Sequence, residues 1–380
     1  MHDVLIVGAG PIGCYCAREL ARGGHSVVVV EEHARVGEPA HCTGLVGREV
    51  FARFELPGDF IQRVVRSARV VSPCGFSFEL EARGGPALVI DRRRFDQELA
   101  ASGLAEGVSF WLRARARRVV ASADAVKVQV ECVGEMHELA ARMCLLATGV
   151  DDALAKGCGL GVGPARLSGA QLEVGMEGLE EAEVYFGRRL APGGFGWAVP
   201  AGGGRARVGV LTTGCARSQL EALLRRSGVG ERIGRPRGEP RCRSVPAGAR
   251  RRSYAERVLA VGDAAGQVKT TTGGGLLYGL LGAEAALRWV QRAFARGDFS
   301  AHALEGYQWD WQQMIGREQR IGRAVRYVSA RLADWQWDRA LRAIYSAGLH
   351  RRLAETVAFD WHAAGAATAL LHAYGLAAGG

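Results

Sequence analysis

Residues 3 to 32 read DVLIVGAGPIGCYCARELARGGHSVVVVEE, and their order of apolar runs and glycines spells strand, turn, helix, turn, strand. Val4 to Val7 is a short apolar run of the kind buried on both faces of a parallel sheet. Gly8, Gly10 and Gly13 follow at GxGxxG spacing, which permits a tight turn, close approach of backbone to a pyrophosphate, and packing of the helix on the strand. Ala17, Leu20 and Ala21 continue the packing face, and Gly23-Gly24 ends the helix. The second strand runs into Glu31, 18 residues past Gly13, where a carboxylate accepts the ribose hydroxyls of an adenosine. The stretch therefore predicts a dinucleotide site. A 2′-phosphate would meet like charge at Glu31, which disfavours NADP and leaves FAD or NAD.

Composition limits the alternatives. The chain has 380 residues and is 48% hydrophobic, enough for one large or two modest globular domains. Its first apolar run leads straight into the glycine turn, and the alanine- and glycine-rich tract at the end contains His372 and falls short of a membrane span, so a soluble or peripheral protein is expected. Nine cysteines without a CxxC argue against a disulfide framework, a zinc site or an iron–sulfur site, and fit a reducing cytoplasm. The formal charge of +10 is almost all arginine, since Lys127, Lys156 and Lys269 are the only lysines. Ten arginines lie in RRSGVGERIGRPRGEPRCRSVPAGARRR, residues 225 to 252, which reads as a solvated loop; attraction to an anionic lipid face or a diphosphate is the functional alternative. No recognition motif accompanies the charge, so nucleic acid is not an expected partner.

Two distant segments choose between the dinucleotides. CLLATG (144 to 149) is a second apolar strand ending in a small-residue turn at Gly149, and LAVGDAAG (259 to 266) is a third, ending in Gly262-Asp263. Three separated strand ends converging on one ligand imply an extended cofactor, and FAD has that length. Asp263 suits a ribityl hydroxyl, and Gly273-Gly274-Gly275 opens a helix whose N-terminus can face the pyrophosphate or the flavin's carbonyl edge.

The motifs together resemble the geranylgeranyl reductase family, within the larger group of flavoproteins that includes the aromatic hydroxylases. The N-terminal motif, EEHARVGEPAHCTGLVG (31 to 47), APGGFGWAVP (191 to 200) and GDAAGQVKTTTGGGLLYGLLGAEAA (262 to 286) carry the resemblance, and DRRRFDQEL (91 to 99) supports it. It spans residues 1 to about 290; the last 90 add little. It implies that Cys42, in a Pro-x-x-Cys-x-Gly pattern with Pro39 and Gly44, sits beside the flavin as a contact and active-site residue. By sequence alone the same thiol would pass as a small buried residue. The resemblance likewise places Arg92, otherwise a surface charge at a helix start, near the FAD, and Val119 against the adenine through its backbone. Ile12, Thr43, Gly149 and Leu276 join the cofactor contacts on the same ground. The family's Tyr-x-Trp-x-Phe-Pro motif, which lines a prenyl tunnel, is matched by Phe195, Trp197, Val199 and Pro200, and Tyr278 is expected to join them at the substrate. Thr270 stands where relatives carry proline, leaving a hydroxyl expected beside the flavin.

These readings predict an α/β flavoprotein: a Rossmann-like FAD-binding domain with a parallel sheet, discontinuous in sequence (1–68, 88–165 and 250–300), an antiparallel substrate sheet (69–87 and 166–249), and helices over 301–380. The resemblance implies a reductase that saturates isolated C=C bonds of an isoprenoid chain by flavin hydride transfer and protonation, with Cys42 or an ordered water as proton source. A flavin monooxygenase acting on an aromatic or polyketide substrate shares the fold and is the alternative; a non-enzymatic FAD-binding sensor is a third reading. No second dinucleotide motif is present, so the electron donor is a nicotinamide bound transiently, a ferredoxin or a quinol. Residues 306 to 345 mix tryptophan, arginine and aliphatics at near-helical spacing, read as helices capping the substrate sheet, with a peripheral membrane contact as the alternative.

Overall fold

The computed structural model describes residues 1–369 apart from 41, 55, 57, 83, 84, 227 and 357; the tail 370–380, with His372, lies outside them. His2–Val7 is the centre of the larger sheet, with Val4, Leu5 and Ile6 wholly enclosed because helices and strands cover both faces. It pairs in parallel with Val27–Val30 on one side and Glu135–Leu146 on the other. Ser109–Trp111 and Val258–Ala260 extend the parallel set outward. The antiparallel strands Ala114–Ala121 and Val126–Cys132 add to the start of Glu135–Leu146. One face carries the helices Pro11–Arg22, Arg92–Ala105, Leu276–Arg296 and Ala301–Ser329, whose apolar sides close a core around Ile6, Leu20, Phe95, Leu281 and Trp311.

A second sheet has the order Ile233–Pro246, Arg166–Met176, Arg205–Thr212, Phe195–Pro200, Ala182–Tyr185, Ser67–Val71, Ser77–Glu81. Strand periodicity explains its two faces. Ala170, Leu172, Ala198, Val208 and Val210 point to one side and bury Leu220 and Leu223 of the helix Ala216–Leu224. Gln171, Trp197, Arg207 and Gly209 point to the other, toward the nucleotide sheet. The sheet is antiparallel as expected except where Ala182–Tyr185 runs parallel to Ser67–Val71. A small sheet of Leu45–Gly47, Ala87–Ile90 and Ile61–Val65 fills the angle between the two larger ones.

The arginine-rich stretch is not the expected solvated loop. Ile233–Pro246 pairs along Arg166–Met176, which turns Arg241 and Arg243 to the same side as Gln171. Arg250 is buried, its Nε donating to the Ala264 carbonyl at 2.7 Å and its Nη1 to Gly161 at 2.8 Å, with Asp152 as ion-pair partner. No helix among the described residues is long and apolar enough to cross a membrane.

Candidate active site

Val30, Val7, Leu146 and Ala260 stand in register on four adjacent parallel strands, so the segments after them emerge at one sheet edge. Those segments are Glu31, the Gly8–Gly13 turn, Gly149 and Gly262-Asp263. With about 4.8 Å between strands, the strand ends Val30 and Ala260 that lead into Glu31 and Asp263 are about 14 Å apart along this crevice, the reach of a dinucleotide. Glu31 Oε2 accepts from the Ala9 amide at 2.8 Å and Oε1 from the His33 amide at 2.9 Å, which holds the carboxylate against the turn.

The three glycines of the turn have different neighbours. A Cβ at Gly8, whose φ is 103°, would stand 2.5 Å from the Ala147 carbonyl, and one at Gly13 would strike the Gly8 carbonyl; one at Gly10 would meet nothing within 4 Å. That open side faces out from the N-terminus of Pro11–Arg22, which has no side-chain cap. Leu276–Arg296 begins at Gly275, also without a side-chain cap. Two uncapped N-termini present unpaired amides to the crevice, a fit for a pyrophosphate and for the flavin's carbonyl edge. Ile12 packs beneath, its side chain against Gly262 and Gly279.

The Asp263 carboxylate has no hydrogen-bond partner among the described residues, and its Oδ1 lies 2.8 Å from where a Gly275 Cβ would stand. Burial raises its carboxyl above the ordinary range, against the pull of Arg243 and Arg92. A half-buried carboxylate without a protein partner, open to the crevice, fits a hydroxylated ligand. Arg243 also reaches Gly149, where its Nη2 would be 3.0 Å from an added Cβ.

The predicted Cys42 side assembles from four elements. Arg92, set by the Asp91 cap of its helix, is only 14% exposed and pairs with Asp96 at 3.1 Å, so it is not a surface charge. Burial acts to lower the Arg92 guanidinium, but Asp96 and the Cys42 sulfur hold it above its ordinary value. Cys42 is exposed, not buried, and its Sγ accepts from the Gly44 amide at 3.3 Å. Arg207 donates to the carbonyls of Thr43 at 2.5 Å and Ile90 at 3.1 Å; burial draws it below its usual value while Cys42 and Glu173 oppose. Gln171 Oε1 ties the site together, accepting from Thr43 Oγ1 at 2.7 Å and from Trp197 Nε1 at 3.3 Å. The Trp197 indole lies over Gly209, where a Cβ would be 2.3 Å from the ring, and Phe195 continues the aromatic strip at 5.7 Å between ring centres.

The glycine loop is braced from behind. Gly273 packs on Val245 and Leu211, and Gly274 on the stem of Lys269. Lys269 Nζ meets Asp360 Oδ1 at 2.7 Å in a buried pair. Thr271 Oγ1 lies 2.6 Å from His362 Nε2, and His362 Nδ1 donates to the Phe359 carbonyl at 2.8 Å. Burial and Lys269 lower the His362 pKa to about 4, so its ring is neutral and Nε2 accepts from Thr271. The Thr270 hydroxyl donates to the Gln319 carbonyl at 2.9 Å, so it faces a helix and not the flavin.

Three expected residues stand apart. Val119 is a core residue whose carbonyl takes the Cys158 thiol at 4.0 Å. Tyr278 is 1% exposed and donates to the Asp360 carbonyl at 3.3 Å, behind the glycine loop. Pro200 closes the Phe195–Pro200 strand opposite Ala206, at the end away from Phe195. No motif in the sequence singles out Gln171, Arg207, Arg243, Asp360 or His362; period-2 alternation in 166–176 and 241–245 is the available signal for the first and third.

The fold and crevice define an FAD-dependent oxidoreductase. Residues 3–71 match the family described as FAD dependent oxidoreductase. A digeranylgeranylglycerophospholipid reductase of Methanopyrus kandleri is 32% identical over 341 residues, covering 83% of each chain. The chain belongs to this reductase family, and FAD is its cofactor. A solved geranylgeranyl bacteriochlorophyll reductase-like protein of Thermoplasma acidophilum is similar at a TM-score of 0.87 and 20% identity, covering 98% of this chain and 96% of that one. A p-nitrophenol 4-monooxygenase of Pseudomonas putida reaches a TM-score of 0.75 at 17% identity, covering 98% and 97%. Both likenesses concern the fold.

Proposed function

We propose that this enzyme saturates isolated C=C bonds in the isoprenoid chains of a geranylgeranyl-type lipid. The observation that carries the reading is the aromatic strip of Trp197 and Phe195, joined through Gln171 to Thr43 beside the Cys42 thiol. The bound flavin, once reduced by an external two-electron donor, would supply the hydride and return to FAD. An isolated alkene accepts hydride at one carbon only as the other receives a proton, so a proton source must face the chain in a pocket short of water. Cys42 Sγ is that source in our reading, with Arg92 and Arg207 placed to stabilise the thiolate left behind. Trp197 is fixed by Gln171 and Gly209, and so offers the chain a flat wall. Each methylene buried there contributes about 0.8 kcal/mol to binding.

Incubation with geranylgeranyl lipids under anaerobic dithionite tests the reading by product mass. A gain of two hydrogens per bond is expected; oxygen-dependent hydroxylation of an aromatic instead would establish the monooxygenase alternative. Cys42→Ala with full flavin content should lose most turnover, and unchanged turnover would remove the thiol from the mechanism.

A further inference from the structure

The aromatic strip does not stop at Phe195. Phe186 follows at 6.4 Å between ring centres, and Trp337 stacks on Phe186 at 4.7 Å and 19°. The file leads away from Gln171 to the turn between Ala301–Ser329 and Asp334–Ser346, where the apolar residues stand in solvent: Trp335 is 64% exposed, Tyr327 62% and Val328 40%.

Arginines surround them. Arg331 lies over the Tyr327 ring, and the Arg189 side chain is 95% exposed. The loop bearing Arg188 and Arg189 is held at this corner by Asp334 Oδ1, which accepts from their amides at 2.6 and 3.3 Å. Arg326 Nη1 binds the other end of the same loop at the Gly193 carbonyl, 2.9 Å away. Two acids lie on this side of Asp334–Ser346: Asp334, whose Oδ2 is also 3.7 Å from Arg189 Nε, and Asp338, which takes the Cys74 amide at 2.9 Å; the exposed Arg188, Arg189, Arg331 and Arg339 outnumber them, so the outward charge is positive.

We propose that this corner docks on an anionic phospholipid bilayer, Trp335 and Tyr327 entering the headgroup layer, with the file of rings behind it guiding the isoprenoid chain to the flavin. The proposal rests on the isoprenoid reading for the second part only. Tryptophan and tyrosine partition to the membrane interface, and arginine around them adds attraction to anionic headgroups. A two-fold contact with another copy of this chain would set arginine against arginine, which disfavours that occupant.

The test is co-sedimentation of the FAD-loaded full chain with vesicles of phosphatidylcholine, alone or mixed with phosphatidylglycerol. Binding to the mixed vesicles, weakened by salt, is expected. Trp335→Ser and Arg189→Glu should each lower that partition on the order of tenfold, with flavin content, melting temperature and turnover of detergent-dispersed substrate unchanged. Variants that bind like the parent, a parent that ignores anionic vesicles, or variants that change only the oligomeric state would overturn the docking. Docking is read without turnover, so vesicle binding with no prenyl reduction would fault the substrate reading alone.

Discussion

Gly10 separates binding from folding more cleanly than any other residue of the glycine turn. Because a methyl group there meets no protein atom, Gly10→Ala should leave the flavin-free protein within about 1 kcal/mol of the parent. It should nevertheless weaken FAD binding at least about tenfold, since the methyl occupies the space required for the close approach of the pyrophosphate. Thermal melting of the flavin-free form and a fluorescence titration with FAD check both halves, and equal affinity would place the pyrophosphate elsewhere. Asp263→Asn should weaken FAD by roughly 10- to 100-fold in the same titration, the loss of one charge-assisted hydrogen bond. Glu31, Gly10 and Asp263 were legible in the sequence because each follows an apolar run directly and its strand end fixes its position. Gln171, Arg207 and Arg243 were not, since their convergence depends on which strands pair and in which register, and that register links residues far apart in the chain.

At the level of elements, the long helix Ala301–Ser329 does more than cap a sheet. Arg326 donates to the carbonyls of Thr270, Thr271 and Gly193, tying the cofactor loop to the arginine loop. Burial lowers its pKa to about 10, still charged at neutral pH. Arg326→Met would strip three acceptors of their donor, at a cost of roughly 2–4 kcal/mol. Denaturant unfolding should show that loss, with flavin release ahead of global unfolding. The helix itself was legible from its apolar stripe. Its polar contacts with the Thr270 loop were not, because a hydrogen bond from a helix to a distant loop leaves no periodic trace. The strand Ile233–Pro246 is hidden in the sequence for the opposite reason: its glycines and prolines mimic a loop, while its partner Arg166–Met176 supplies the regularity.

For the whole molecule, the segment 358–363 joins parts that the sequence resemblance left unconnected. Asp360 holds Lys269, His362 holds Thr271, Trp361 Nε1 donates to Glu49 at 2.8 Å, and the Ala363 amide donates to Glu318 at 3.0 Å. His362 makes this closure sensitive to pH. Its folded pKa of about 4 lies below the unfolded 6.5, so the unfolded chain takes up more protons between those values. Stability contributed by the neutral ring is complete above about 6.5 and declines as pH falls toward 4, by about 2 kcal/mol at pH 5. Melting temperatures followed from pH 7 to 5 should fall less for His362→Asn than for the parent; parallel curves would show that this ring does not titrate on unfolding. The parallel pairing of residues 144–146 with Val258–Ala260 bears on biosynthesis as well. A nascent chain leaving the ribosome has its glycine turn early but nowhere to seat a coenzyme until residues 258–260 are out, so flavin loading waits for the last third of synthesis, and products of a stop codon before 258 are expected to emerge colourless.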